Sequence, residues 1–363
     1  PKDAQRGYEY QLSKEQKEVV SEIFKEWQQE QPRPCLIKGV TGSGKTQVYM
    51  ELIEAVLKQG KQVIVLIPEI ALTYQNVVRF YSRFGSCVSV INSRLSVGER
   101  FDQFERAKKG EISVVIGPRS ALFTPFPNLG LIIIDEEHED SYKSEKTPCY
   151  HARETAVQRG KMESARVVMG SASPSVDSYY RGKAGEYQLL YLNERYGGKE
   201  LPEVEIVDLK AELKTGNRSI FSHVLTEKLE ERLQKKEQSI LFLNRRGYTG
   251  FVSCRSCGYV VKCPHCDVSL TAHRNGKMIC HYCGYEIPQV KTCPSCGSPY
   301  IGGFKAGTQQ IETLLKKSFP DARILRMDAD TTKNKGGHEK VLSAFAAGEA
   351  DILIGTQMIV KGH

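Results

Sequence analysis

No stretch of this 363-residue chain stays apolar long enough to cross a bilayer. A spanning helix needs about 20 apolar residues, and the longest runs here, such as LGLIIID at 129–135, are far shorter. The opening PKDAQRGYEY lacks the apolar segment of a secretory signal. Low-complexity tracts are missing, and nothing repeats apart from pairs of cysteines. Neither sign of charge dominates: 51 basic against 43 acidic residues leave +8. These absences argue against a helical membrane protein, a repeat solenoid and a polycationic tail. A modest positive excess permits a phosphate-binding surface without requiring one.

Cysteine, by contrast, is plentiful and regularly placed. Eight of the eleven cysteines form four CxxC pairs: Cys254/Cys257, Cys263/Cys266, Cys280/Cys283 and Cys293/Cys296. Two thiolates so spaced can face one metal ion, and two pairs complete a tetrahedral zinc site. A disulfide framework is the alternative, but such regular CxxC pairs read as zinc sites, and nothing marks the chain as secreted. A reducing cytoplasm is expected, with Cys35, Cys87 and Cys149 as free thiols. Four pairs allow three pairings. The second and third flank DVSLTAHRNGKMI (267–279), which reads as a hairpin turning at Asn275-Gly276. A hairpin brings its ends together, so Cys263, Cys266, Cys280 and Cys283 should share one Zn²⁺. Cys254, Cys257, Cys293 and Cys296 would then share the second. Four thiolates leave no open position, so both ions read as structural, and metal binding would supply folding energy to this small insert.

Residues 39–46 read GVTGSGKT, the GxxxxGK[ST] pattern. In a phosphate loop, the backbone N–H groups of Gly39, Thr41, Gly42, Ser43 and Gly44 wrap the phosphates of ATP. Lys45 reaches the outer phosphates and Thr46 holds Mg²⁺. CLIK (35–38) reads as a strand before the loop, and TQVYMELIEAVLKQG as a helix ending on Gly60. A plain glycine-rich turn would not need that context. LIIIDEEHED (131–140) supplies the other half: an apolar strand delivers Asp135 and Glu136 to the edge of a parallel sheet. Asp135 would bind Mg²⁺, and Glu136 would polarise the attacking water as a positioned base. His138 completes an Asp-Glu-x-His box of the kind helicases and translocases carry. VIVLIPEIALTYQ (63–75), VVIGPRSALFTPF (114–126) and VVMGSASPS (167–175) each run from a strand into a small-residue loop. In open parallel sheets, ligands bind beyond the carboxyl ends of strands. The alternation predicts an α/β doubly wound fold. SILFLNRRG (239–247), RILRMDAD (323–330) and DILIGTQMIVKGH (351–363) predict a second sheet.

Together these residues carry a specific resemblance. With PEIALTYQ, RSALFTPF, IIIDEEHEDSYK, YHAR, GSASPS, FLNRRGY and RMDADTT, and the four CxxC pairs just after NRRGY, the chain resembles the bacterial primosomal replication-restart helicases of superfamily 2, the PriA family. The resemblance covers nearly the whole chain from about residue 12. It implies two RecA-like P-loop lobes, the second carrying the double Cys₄ insertion. It also implies a monomeric ATP-dependent 3′→5′ DNA helicase that recognises stalled forks and initiates restart by primosome assembly. Its partners would be single-stranded and forked DNA, the single-strand DNA-binding protein, and the primosome proteins that load the replicative helicase.

Carried over by position, Gln16 sits where the family places an adenine contact. Ser171 and Ser173 would couple hydrolysis to movement, and Arg119, Ser120 and Phe123 would touch DNA. Tyr142, Lys143, Tyr150 and Arg153 belong to an aromatic and basic loop that senses single-stranded DNA in the family. Stacking rings and cations suit sequence-tolerant tracking; packing is the alternative use of those tyrosines. Asn244, Arg245 and Arg246 would contact DNA or the other lobe, and Gly355, Thr356, Gln357 and Lys361 would link nucleotide to DNA in the second lobe. The chain departs from the family pattern at Cys149, Ser173 and Pro118, and in KAGTQQIE at Lys305 and Gln309.

The expected organisation is a linker at 1–11, a first lobe at 12–195, a linker and the start of the second lobe at 196–251, the zinc insertion at 252–300, and the second lobe continued, incomplete, at 301–363. No QxxGRxGR segment occurs, so the chain reads as a piece that binds ATP and DNA but hydrolyses slowly without the arginine that supports phosphoryl transfer. A DNA- and partner-binding scaffold with ATP as a switch, or an RNA helicase on the same core, would share these motifs. Cys263→Ala in the parent protein is expected to abolish unwinding while sparing more of the ATP hydrolysis. Equal loss of both would point to general misfolding.

Overall fold

A computed structural model of the chain describes residues 11–68, 74–92, 95–198, 202–217, 219–243, 251–273, 275–303, 307–328, 331, 337–356 and 359. Two compact units divide between Pro202 and Glu203.

The first unit is built on seven strands: β1 (Cys35–Gly39), β2 (Gln62–Leu66), β3 (Val88–Val90), β4 (Val114–Gly117), β5 (Leu129–Asp135), β6 (Arg166–Ser171) and β7 (Gln188–Leu192). Every pairing is parallel, in the order β3-β4-β2-β5-β6-β1-β7. A parallel sheet must be covered on both faces, so its strands are apolar throughout rather than alternating. β5 shows this: six consecutive positions are buried and only the terminal Asp135 is not.

Side chains alternate across the strand, and the two faces have different cores. Leu131 and Ile133 pack with Val19 and Ile23 of α1 (Lys14–Trp27), Val48, Leu52 and Ile53 of α2 (Lys45–Lys58), and Phe80 of α3 (Tyr74–Phe84). Ile132 and Ile134 pack on the opposite face with Ala107 of α4 (Val97–Lys108) and with Ala152 and Ala156 of α5 (Ala152–Glu163). A further helix, α6 (Val176–Lys183), follows β6. This is the α/β doubly wound arrangement that the strand–helix alternation predicts. It brings the ends of β1, β5 and β6 to one edge.

The second unit begins with α7 (Leu209–Lys214) and α8 (His223–Gln234), then β8 (Ser239–Phe242). The cysteine-rich segment follows with five short strands: β9 (Val252–Cys254), β10 (Thr271–Ala272), β11 (Lys277–Ile279), β12 (Glu286–Pro288) and β13 (Ile301–Gly303). β10, β11 and β12 form an antiparallel sheet, and β13 pairs antiparallel with β9 to close the segment. The chain then resumes as α9 (Thr308–Ser318), β14 (Ile324–Met327), α10 (Gly337–Ala346) and β15 (Ile352–Gly355). β14, β15 and β8 form a second parallel sheet in that order. Leu229, Ile311, Leu315, Ile352 and Ile354 share a core on one side of it. Among the described residues, no helix is long and apolar enough to cross a membrane.

Candidate functional site

The loop between β1 and α2 turns through Gly42 and Gly44, whose φ angles are +82° and +79°. Only glycine adopts that region without strain, so the GSGK spelling is a backbone requirement. A Cβ at Gly44 would overlap the Gln16 carboxamide. Lys45 is buried, and its Nζ donates to Gly39 O at 2.9 Å, inside the loop. Ser43 Oγ is buried with no hydrogen-bond partner among the described residues. A buried hydroxyl left unpaired is costly, and a phosphate oxygen in the loop would satisfy it. The loop opens onto the amino end of a 14-residue helix, where backbone N–H groups and the helix dipole favour an anion.

Gln16 lies against this loop. It is buried, its Nε2 donates to Ser43 O at 2.8 Å, and its Oε1 accepts from Ser13 N at 2.9 Å. In this structure it braces the phosphate loop from α1. The turn after β7 adds a second brace, with Tyr196 N donating to Gly42 O at 2.8 Å.

Asp135 ends β5 beside this loop. Tyr49 of α2, fully enclosed, donates its hydroxyl to Asp135 Oδ1 at 3.0 Å. Burial, then the neighbouring Glu136 charge, push the Asp135 carboxyl up to about 6, with Lys45 pulling the other way. Thr46 and Asp135 line one small cavity with Tyr49, Asn76 and Phe80. A hydroxyl and a carboxylate meeting there form an oxygen donor pair of the kind a hard divalent cation takes. Glu136 has φ +47°, in the left-handed region, which costs a non-glycine residue about 1–2 kcal/mol. His138 Nδ1 lies 2.7 Å from Ser171 Oγ and 3.6 Å from Glu136 Oε2. The end of β6 is thereby joined to the acidic box. Ser173 is exposed, and its N–H donates to Ser171 Oγ at 3.0 Å.

Two residues expected at a DNA surface lie inside the protein instead. Tyr142 is 1 % exposed, and its hydroxyl lies 2.6 Å from Asp135 O and 3.0 Å from Leu66 O. It is a packing residue that ties β2 to β5, and no base could stack on it. Arg153 is also buried, and its Nη1 donates to Glu137 Oε2 at 2.7 Å. Its charge serves an internal carboxylate. The rest of the set lies nearer the surface. Phe123 is 51 % exposed, and its ring meets that of Tyr150 edge-on at 5.1 Å. Arg119 Nη1 donates to Ser141 O at 2.8 Å and Lys143 O at 2.6 Å, holding the loop that carries the exposed Lys143. Ser120 is half-buried beside it, and Thr356 is half-buried just after β15. Asn244, Arg245, Arg246, Lys305, Gln357 and Lys361 lie outside the described residues. Tyr49 and Glu137 were not singled out from the sequence: each reads as an ordinary helix or surface residue until its remote partners are known. Tyr142→Phe is expected to lower stability by about 1–2 kcal/mol and leave single-stranded DNA affinity unchanged. Lost affinity at unchanged stability, measured by urea melting and DNA titration, would restore the surface role.

The cysteines gather as the hairpin argument groups them: Cys254, Cys257, Cys293 and Cys296 in one cluster, Cys263, Cys266, Cys280 and Cys283 in the other. Sulfur–sulfur separations are 3.7 Å for Cys254–Cys296, 3.7 Å for Cys257–Cys293 and 3.6 Å for Cys263–Cys283. Four sulfurs around zinc at about 2.3 Å would stand roughly 3.8 Å apart, so the donor set fits. All four CxxC units share one turn. The residue after each second cysteine has positive φ: Gly258 81°, Asp267 53°, Gly284 76° and Gly297 69°. Its N–H donates back to the first cysteine's carbonyl at 2.8–2.9 Å. Glycine after three of the four pairs is the sequence signal of that turn.

A family model described as the type III restriction enzyme res subunit matches residues 9–173, and the PriA DNA helicase Cys-rich region domain matches residues 263–288. The chain is 53 % identical over 352 residues to the replication restart protein PriA of Bacillus subtilis (strain 168), covering 97 % of the chain and 44 % of the relative. It is 50 % identical over 337 residues to the protein of that name from Synechocystis sp. (strain ATCC 27184 / PCC 6803 / Kazusa), covering 90 % and 41 %. The chain thus spans less than half the length of these curated relatives. Among solved structures, RecG bound to a three-way DNA junction aligns with a TM-score of 0.50 at 17 % identity, over 96 % of this chain and 36 % of that one. The DUF1998 helicase MrfA bound to DNA aligns at 0.53 and 13 %, over 97 % and 43 %. At such identities the two structures speak for the fold alone. The sequence identity runs through both units and the cysteine-rich insertion, and the chain belongs to the PriA family of replication restart proteins.

Proposed function

We propose that this chain is the motor part of an ATP-dependent 3′→5′ DNA helicase that acts at stalled forks to restart replication. The observation that carries the reading is convergence. The β1–α2 loop, with its buried Lys45 and a Ser43 hydroxyl that has no partner among the described residues, and the Asp135–Glu136 pair at the end of β5 share one edge of one sheet. Lys45 would leave Gly39 O for the outer phosphates. Thr46 and Asp135 would hold Mg²⁺, which when bound neutralises charge on the phosphates. Tyr49 fixes the face that Asp135 presents. Glu136 would orient the attacking water and accept its proton, a contribution of about 10²–10⁴ in rate. His138, between Glu136 and Ser171, would report the state of that site to the end of β6 and to α6.

DNA would lie along Arg119, Phe123, Lys143 and Tyr150, two cationic and two aromatic groups at or near the surface. Two zinc ions, one in each cysteine cluster, would hold the insertion folded. The parent protein would work as a monomer in the cytoplasm, with the single-strand DNA-binding protein and the proteins that load the replicative helicase as its partners.

Full-length protein is expected to hydrolyse ATP faster with single-stranded DNA than with RNA of equal length, and Lys45→Ala to lose about 10²-fold or more of that rate. No DNA stimulation despite intact DNA binding would favour the scaffold. Metal analysis should find two zinc ions per chain, and chelation should unfold the insertion while leaving nucleotide binding by the first unit in place.

A further inference from the structure

Immediately after Glu136 comes a second acid with quite different surroundings. Glu137 is 1 % exposed, and both its oxygens are engaged. Oε1 accepts from Ser175 N at 2.7 Å. Oε2 accepts from Arg153 Nη1 at 2.7 Å, Ser178 Oγ at 2.8 Å and Ser175 Oγ at 3.1 Å. Its own N–H donates to Gly170 O at 3.1 Å, next to the end of β6. One residue therefore joins four segments: the end of β5, the end of β6, the start of α5 through Arg153, and the first turn of α6 through Ser175 and Ser178.

A carboxylate this enclosed is stable only when paired and fully hydrogen-bonded, so its position is fixed by all four partners together. Glu136, one bond away, holds φ +47°. A residue stays in that region only where its surroundings over-determine it. The backbone on its carboxyl side is clamped at Glu137 by both the N–H and the side chain. We infer that Glu137 is a positioning residue: it holds Glu136 in its left-handed conformation and ties that conformation to the starts of α5 and α6. A shift of either helix start would then be felt at Glu136 without any contact to nucleotide. The inference rests on the proposed role of Glu136 in ATP hydrolysis.

The test is a double-mutant cycle in the full-length protein, with Glu137→Gln, Glu136→Gln and the pair. Glu137→Gln keeps the shape and loses the charge facing Arg153. It should lower kcat for ATP by about 10²-fold, the scale of a 1 Å misplacement, with KM within about twofold. Added to Glu136→Gln, it should lower the residual rate by less than about twofold, because residues acting as one unit are not additive. The pair multiplying the two losses would overturn the inference, as would a Glu137→Gln rate equal to native. Arg153→Lys, which keeps the charge, covers the case in which Glu137→Gln fails to fold. It should give a smaller kcat loss with the same non-additivity, and independent losses would again refute the proposal. Absence of ATP hydrolysis by the native protein would sink the underlying reading and this inference together. Native hydrolysis with additive variants would sink this inference alone.

Discussion

Placing acids at the end of a strand buried on both faces is the constraint around which the first unit is arranged. Three consecutive residues, Asp135, Glu136 and Glu137, come together at the end of a strand buried at its first six positions. Removing a carboxylate from water is costly unless something replaces the lost hydrogen bonds. Each acid meets that demand differently. Asp135 takes the Tyr49 hydroxyl and keeps a face toward the cavity it shares with Thr46. Glu136 turns outward through a left-handed backbone. Glu137 turns inward onto Arg153, Ser175 and Ser178. The division leaves two carboxylates available for chemistry and spends the third on structure.

The same demand explains why the helices lie where they do. α2 supplies Tyr49 as well as Lys45 and Thr46, so one element ties the end of the phosphate loop to Asp135. Tyr142 closes the other side by bridging the carbonyls of Leu66 and Asp135 at the ends of β2 and β5. Hydrogen bonds in such low-dielectric surroundings reinforce one another when every member is satisfied. The cysteine-rich insertion solves its own version of the problem. Its small core joins Val252, Val261, Leu270, Ala272 and Met278 to Cys263 and Cys280, and two closed thiolate clusters would add to what burial supplies.

Much of this was readable in the sequence wherever the chemistry is written in local spacing. GVTGSGKT specifies its own turn, because Gly42 and Gly44 need positive φ. LGLIIID announces a strand buried on both faces. The four CxxC units, three followed by glycine, specify their turns, and the hairpin between the middle pairs settles which cysteines meet. Readings failed where a side chain's fate depends on residues far along the chain. Tyr142 and Arg153 look like a surface pair of aromatic and cation, yet Leu66 and Glu137 draw them inside. Gln16, too, takes its place from a remote partner, with Ser43 O 2.8 Å from its amide. Composition and periodicity describe a residue's own preference; these outcomes were decided by partners 16 to 76 positions away.

On the function proposed above, the β1–α2 loop and the end of β5 hold a single metal–nucleotide complex. Electron paramagnetic resonance of Mn²⁺ with ADP, on native protein and on Asp135→Asn, tests it most directly. The account predicts a bound Mn²⁺ signal that appears only with nucleotide and is lost in the variant while ADP still binds. An unchanged signal in Asp135→Asn, or Mn²⁺ bound equally without nucleotide, would contradict it.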